Sequence, residues 1–150
     1  MSTPHPTPDD AADAALARYR PWFYAAALYN LLWGAAIILF PERTRRLLDL
    51  PEATPKPLWR VIGMLVMVYA PGYWWAARHP GRHRQLVLIG MVGKLCGPLG
   101  YAWSLRRGEL PRAFGWTILT NDLLWWPAFI GYLRAAARRP GGWAALLRGE

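Results

Sequence analysis

Residues 85–105 read QLVLIGMVGKLCGPLGYAWSL, a long apolar run whose one charged residue is Lys94. A helix of about 20 residues, rising 1.5 Å per residue, crosses the roughly 30 Å hydrocarbon core of a bilayer. Four glycines in the run are spaced by three or four residues and fall on one stripe of such a helix, where they allow another helix to approach closely. The run therefore predicts a transmembrane helix with a lysine at its centre.

Three more apolar runs of similar length lie elsewhere in the chain, at residues 21–40, 58–77 and 113–133. Arginine-rich or proline-rich connections separate them, and aromatic residues cluster near their ends, as in the interfacial belts of membrane helices. With the run at 85–105, they predict an all-α fold: a polytopic membrane protein built as a bundle of four transmembrane helices. Pro71, within the second run, predicts a kink there.

The flanking segments divide the chain into three parts. Residues 1–20 are expected to form a polar N-terminal tail with a short helix, residues 21–137 the four-helix transmembrane domain, and residues 138–150 a tail that lies on the membrane surface. The start of the chain lacks the basic region and short apolar segment of a cleavable signal peptide, so the first span is expected to act as the targeting signal.

The chain has 18 Lys and Arg against 9 Asp and Glu, a formal charge of +9. These cations lie in short connections at the ends of apolar runs, where anionic lipid headgroups are the expected neighbours, so we predict a lipid bilayer and no nucleic acid as partner. The cations divide almost evenly between the two ends of the bundle. The positive-inside rule therefore leaves the orientation open, including dual topology.

Neither a metal site nor a cofactor is predicted. Cys96 is the single cysteine, so it cannot form an intramolecular disulfide, and we expect a small, polarisable core residue. His79 and His83 have a spacing used by helical zinc ligands, but Pro80 and Gly81 between them forbid a helical turn, which favours an exposed pair.

Polar residues recur near the middle of every predicted span. A charged residue at that depth costs on the order of 2.5 to 3.5 kcal/mol on insertion scales, so Lys94 should face a partner or a wet cavity, and Asp122 is the candidate partner. We predict a midplane cavity and a ligand-binding site formed by Asn30, Tyr69, Lys94, Asn121, Asp122, Trp125 and Trp126. The same polar layer would equally serve to lock four helices in register.

A short pattern occurs twice in the middle of the chain: IGM at 62–64 with Pro71, and IGM at 89–91 with Pro98. It is explained either by an inverted repeat, as in many transporter folds, or by chance matching of apolar segments.

Three soft motifs carry a resemblance to known proteins: FPE at 40–42, AARHP at 76–80 and TNDL at 120–123. On these, the chain resembles the small bacterial four-helix membrane proteins related to the DoxX-like families. The resemblance implies residence in the bacterial cytoplasmic membrane as a multi-pass protein, with occasional association with redox partners. It carries over no catalytic residue.

The leading hypothesis is a non-enzymatic, homo-oligomeric bundle that binds or transports a small hydrophobic or cationic molecule. The alternatives are an enzyme acting on a lipid or quinone, with Asp122 and Lys94 as acid and base, and an accessory subunit of a larger membrane complex.

Overall fold

The computed structural model describes residues 8–139 and 141–148, with side chains from residue 13 onward. Every regular element in this part of the chain is helical, which confirms the all-α prediction. Two single turns of 3-10 helix lie at Arg112–Phe114 and Leu123–Trp125. The nine α-helices described are α1 (Pro8–Ala17), α2 (Arg20–Leu39), α3 (Pro41–Leu47), α4 (Lys56–Met67), α5 (Tyr69–Arg78), α6 (Arg84–Arg106), α7 (Gly115–Asn121), α8 (Trp126–Ala136) and α9 (Gly142–Arg148).

Two stretches of the described chain are long and apolar enough to cross a membrane: Asp13–Leu39, which runs through α2, and Arg84–Arg106, which is α6. The other two predicted spans are each divided by a break in the helix. The segment predicted at 58–77 is α4 followed by α5, and the segment predicted at 113–133 is α7, a 3-10 turn and α8. Each half of the chain thus contains one continuous long helix followed by one broken segment.

The break between α4 and α5 follows from Pro71. A proline lacks an N–H, and its ring crowds the carbonyl four residues earlier, here that of Met67, where α4 ends. The matching proline of the proposed repeat, Pro98, lies inside α6, which continues past it. The two copies of the sequence pattern, at 62–71 and 89–98, therefore differ in structure, because the helix is broken in the first copy and continuous in the second.

The second break is centred on Asp122, whose backbone angles (φ −119°, ψ −68°) leave the regular helix. Pro127 crowds the carbonyl of Leu123, and that carbonyl accepts the N–H of Trp126 in the tighter 3-10 pattern. The fourth predicted span is therefore interrupted at Asn121 and Asp122.

Long-range hydrogen bonds close both ends of the bundle. At the end where α2 begins, the Arg20 guanidinium donates to the carbonyls of Ala77 and Arg78, each at 2.8 Å. At the other end, buried Trp59 of α4 donates to the Thr44 hydroxyl at 2.9 Å, and its ring lies 6.4 Å from that of Phe114. The chain therefore returns to its starting end after each long helix and its broken partner.

Aromatic rings from α2, α5 and α8 form the main core. Phe23 packs edge-to-face on Phe129 and Tyr132, with ring centroids 5.3 and 4.9 Å apart, and Tyr73 packs on Phe129 at 5.3 Å. The outer surfaces of the long segments are apolar as well: Leu99 is 70% exposed. An apolar core inside an apolar exterior is the distribution expected when lipid is the solvent.

The backbones of α2 and α4 touch at two glycines. A Cβ atom at Gly34 would lie 2.7 Å from the Gly63 carbonyl oxygen, and a Cβ at Gly63 would lie 2.9 Å from the Gly34 carbonyl oxygen. No larger residue fits at this crossing without moving a helix, so the crossing holds α2 and α4 at their closest approach.

Candidate functional site

The Lys94 ammonium is held by a carbonyl that a helix break sets free. Lys94 is 3% exposed, and its Nζ donates to the Asn121 carbonyl oxygen at 2.5 Å. In a continuous helix that oxygen would accept the N–H of Trp125, but here the Trp125 N–H bonds to the Asp122 carbonyl at 3.1 Å. The break at Asp122 therefore creates the acceptor that the buried cation needs.

A second bond runs in the opposite direction between the same two segments. Pro98 has no N–H, so the Lys94 carbonyl lacks its partner within α6. The indole Nε1 of Trp126 donates to that carbonyl at 3.2 Å. We call these two bonds, Lys94 Nζ to Asn121 O and Trp126 Nε1 to Lys94 O, the α6 clasp.

Three aromatic rings surround the Lys94 ammonium. Its Nζ lies 5.6 Å from the ring centroid of Tyr73, 5.9 Å from that of Trp125 and 5.4 Å from that of Phe129. Cation–π attraction within about 6 Å of a ring strengthens when the cation is desolvated. The rings therefore take over part of the stabilisation that water would give a free ammonium.

Asp122 does not form the predicted ion pair with Lys94. Asp122 is 4% exposed, and its Oδ1 accepts a hydrogen bond from the Asn121 side-chain amide at 3.0 Å. Its carboxylate also packs against Gly97, in the space that a Cβ atom there would occupy. The described side chains include no Lys94–Asp122 contact within 4.0 Å, because the ammonium is directed to the neighbouring backbone carbonyl instead.

A cavity of about 160 Å³ lies at the middle of the bundle. Five predicted site residues line it: Asn30, Tyr69, Lys94, Asn121 and Asp122. Its other walls are Ile62, Leu65, Val66, Tyr73, Gly90 and Gly93. The pocket opens beside the exposed side chains of Ile62 and Leu65, and its volume is close to that of a cavity of about 150 Å³ that holds benzene, a molecule of six heavy atoms.

Trp125 and Trp126 lie behind this lining rather than in it. The Trp125 indole donates to the Thr120 carbonyl at 2.8 Å, beside the helix break, and Trp126 belongs to the α6 clasp. Trp126 therefore contacts the site through the Lys94 carbonyl. Trp125 contacts it through its ring, which lies near the Lys94 ammonium, and through the Thr120 carbonyl beside the break.

The cavity is rich in oxygen acceptors. Asn30 is 3% exposed, and its Oδ1 has no hydrogen-bond partner within the described residues; the same holds for Asn121 Oδ1. Both asparagines line the cavity, as does Asp122, and buried acceptors without donors are unfavourable by about 1 to 3 kcal/mol each. The site therefore suits an occupant that donates hydrogen bonds.

Tyr73 is a cavity residue that the sequence reasoning missed. It lies four residues after Tyr69, so the two rings share a helix face and stack at 6.0 Å with an interplanar angle of 26°. Gly90 makes room for it, since a Cβ there would lie 2.6 Å from the Tyr73 hydroxyl. The four-residue spacing from Tyr69 was the available signal.

Cys96 is exposed on α6, so the prediction that it is a core residue is wrong. Lys94 takes the inward position of that helix turn, and Cys96, two residues on, points away from it. The rings of His79 and His83 lie 6.1 Å apart, and in the part of the chain that the structure describes no three His, Cys, Asp or Glu side chains come together as metal ligands would.

No protein family matches the sequence, and no match was found among curated proteins or among solved structures.

Proposed function

We propose that this chain is a small multi-pass protein of the bacterial cytoplasmic membrane that binds or moves a small hydrophobic or cationic molecule through the central cavity. The observation that carries the proposal is the cavity itself, whose lining combines apolar side chains with buried Lys94 and Asp122 and with two asparagines whose side-chain oxygens have no donor among the described residues. An apolar space with a few convergent polar groups is the usual form of a small-molecule site.

Four membrane crossings fit the arrangement of the helices. Two continuous stretches have the length and hydropathy of a span, and each broken segment runs beside its continuous partner between the same two ends of the bundle. Broken helices at membrane depth are tolerated where they are buried in protein or line a cavity, and transporters place their sites at such breaks. Here Tyr69 begins α5 and Asn121 ends α7, and both residues line the cavity.

Residence in the membrane also agrees with the resemblance to the DoxX-like group, which we retain as part of the proposal. The open face of α6 supports the proposed homo-oligomer, because a Cβ atom at Gly100 would meet nothing within 4 Å and leaves room for a second helix.

The walls of the cavity define the chemistry of its occupant. Ile62, Leu65 and Val66 form an apolar side, and Asn30, Asn121 and Asp122 supply acceptors on the polar side. A small amine with a short apolar body satisfies both. The enzymatic alternative has less support, because a base must be free to take a proton and the Lys94 ammonium is held by a carbonyl and three rings.

Thermal unfolding in an uncharged detergent tests whether the central cavity binds a small amine. Pyrrolidine is the probe, and cyclopentane is the apolar molecule of the same size used for comparison. A ligand that binds only the folded state stabilises it by about 1.4 kcal/mol at ten times its Kd. We expect pyrrolidine to raise the unfolding temperature of the parent and to lose most of that effect in Asp122→Asn. Asp49→Asn, an exposed change outside the bundle, is the matched control. Equal shifts of the unfolding temperature in Asp122→Asn and Asp49→Asn, or no shift in the parent, would refute the binding of an amine in the central cavity.

Reporter fusions test the four crossings separately. Fusions at Ala17 and at Gly141 should report the same side of the membrane, and a fusion at Gly108 should report the other. Opposite locations for Ala17 and Gly141 would contradict four crossings, whereas mixed locations at every site would indicate dual topology.

A further inference from the structure

A groove of about 550 Å³ opens at the end of the bundle where α1, the start of α2 and the end of α5 meet, far from the central cavity. Four arginines line it, and we call it the arginine groove. Its charged and titratable lining residues are Asp13, Arg20, Arg78, His79, Arg82 and Arg139.

The charges in the arginine groove are not balanced. Asp13 is the one carboxylate among its described lining residues, and it pairs with Arg139 at 2.5 Å. Arg20 is bonded to backbone carbonyls, which leaves its charge without a counterion. The guanidinium groups of Arg78 and Arg82 make no hydrogen bond or ion pair with the described residues. Among the residues that the structure describes, the three formal positive charges of Arg20, Arg78 and Arg82 therefore have no carboxylate partner.

Tertiary contacts fix the shape of this groove. Arg20 ties the start of α2 to the last carbonyls of α5, and the Tyr132 hydroxyl of α8 donates to the Pro80 carbonyl. Gly81 lies against Asp13, since a Cβ there would be 2.5 Å from the Asp13 carboxylate. The end of α5, which carries Arg78, and the loop after it, which carries Arg82, are thus held by three contacts, unlike arginines scattered on a flexible surface.

We propose that the arginine groove binds the phosphate group of an anionic molecule, with Arg78 and Arg82 as its direct ligands. The planar guanidinium offers paired N–H donors that match phosphate oxygens, and its charge is permanent. Arg20 and His79 add positive or donor character to the wall. The phosphate can belong to an anionic phospholipid, since the groove lies at headgroup depth in the proposed membrane arrangement, or to a soluble phosphorylated compound. Only the lipid source depends on the proposed membrane function.

Native mass spectrometry of the full chain released from an uncharged detergent tests the site. The probes are phosphatidylglycerol, phosphatidylcholine as the zwitterionic comparison, and inorganic phosphate as a competitor. We expect the parent to retain phosphatidylglycerol more strongly than phosphatidylcholine. Since a cation near an anionic surface contributes about a fivefold gain in binding, Arg78→Gln with Arg82→Gln should lower phosphatidylglycerol affinity by roughly 30-fold.

Arg46→Gln with Arg106→Gln is the matched control, because both arginines are exposed and lie at the other end of the bundle. This variant has the same net charge and should bind phosphatidylglycerol as the parent does. Equal loss in the two double variants would overturn the proposal in favour of diffuse attraction, as would a parent with no preference for phosphatidylglycerol. Far-UV circular dichroism and unfolding temperature establish that each variant is folded.

Competition identifies the source of the phosphate. Displacement of the lipid by millimolar inorganic phosphate supports a soluble phosphorylated ligand, and retention of the lipid supports a headgroup site. Neither result depends on the central cavity. The proposal for the arginine groove and the proposal for an amine ligand in the central cavity can therefore be refuted independently.

Discussion

Replacing Trp126 by phenylalanine removes the indole N–H of the α6 clasp and keeps an aromatic ring in its place. The Lys94 carbonyl then has no donor, because Pro98 cannot supply one and the middle of the bundle is away from bulk water. A buried acceptor left unpaired costs about 1 to 3 kcal/mol, and hydrogen bonds between membrane helices average about 0.6 kcal/mol. We expect Trp126→Phe to lower the free energy of unfolding by about 1 kcal/mol.

The structure predicts a specific rescue of this loss. Pro98→Ala restores an N–H that can bond to the Lys94 carbonyl within α6, so the indole is no longer needed there. Trp126→Phe should therefore cost less in the Pro98→Ala background than in the parent. Because the loss of side-chain volume is the same in both backgrounds, the difference isolates the hydrogen bond.

The measurement is equilibrium unfolding by sodium dodecyl sulfate in mixed micelles, followed by far-UV circular dichroism. Trp116→Phe is the control, since that indole is 67% exposed and its N–H makes no hydrogen bond in the described part of the chain. Independent sites add to within about 0.5 kcal/mol. Equal costs of Trp126→Phe in both backgrounds, within that margin, would refute the reasoning.

Two further predictions concern other parts of the molecule. Gly97→Ala places a methyl group on the Asp122 carboxylate and should destabilise the protein by about 1 to 3 kcal/mol in the same assay, whereas Gly72→Ala, whose Cβ would make only ordinary contact with Leu86 at 3.8 Å, should not destabilise it. At the bundle end, the Lys56 ammonium, 2.8 Å from Glu42 Oε1, and the Arg45 guanidinium lower the pKa of Glu42 below its usual range. That stabilisation is present above the unfolded-state pKa and lost as pH falls through the lower folded pKa, so the unfolding temperatures of the parent and Glu42→Gln should converge below about pH 4; a constant difference down to pH 2 would contradict it.

The all-α class and the long helices follow directly from hydropathy. The run at 85–105 corresponds closely to α6 (Arg84–Arg106), because a long apolar segment has one low-energy way to satisfy its backbone away from water. The effect of a proline is less predictable. Pro71 and Pro127 accompany broken helices, but α6 continues past Pro98, where Trp126 of another segment supplies the missing donor to the Lys94 carbonyl. Local sequence contains no information on that donor.

The same reason limits what could be predicted of the site. Counting residues along each span places Asn30, Lys94 and Asp122 at one depth, and the structure brings all three to one cavity. The direct ion pair between Lys94 and Asp122 was predicted wrongly, because the Lys94 ammonium bonds to the Asn121 backbone carbonyl, which is free only after the helix breaks at Asp122. Side-chain types indicate the polar layer, whereas the geometry of the break decides which atoms within it meet.

The contact between Gly34 and Gly63 imposes a rule on how this protein can vary. Each glycine is required by the other helix rather than by its own, because a Cβ at Gly34 would also meet Met67 of α4, and a Cβ at Gly63 would also meet Ile37 of α2. A lone substitution at either site separates α2 from α4, and once they have separated the second glycine no longer serves a purpose. Among descendants of this sequence, we therefore expect the two positions to be kept together or lost together.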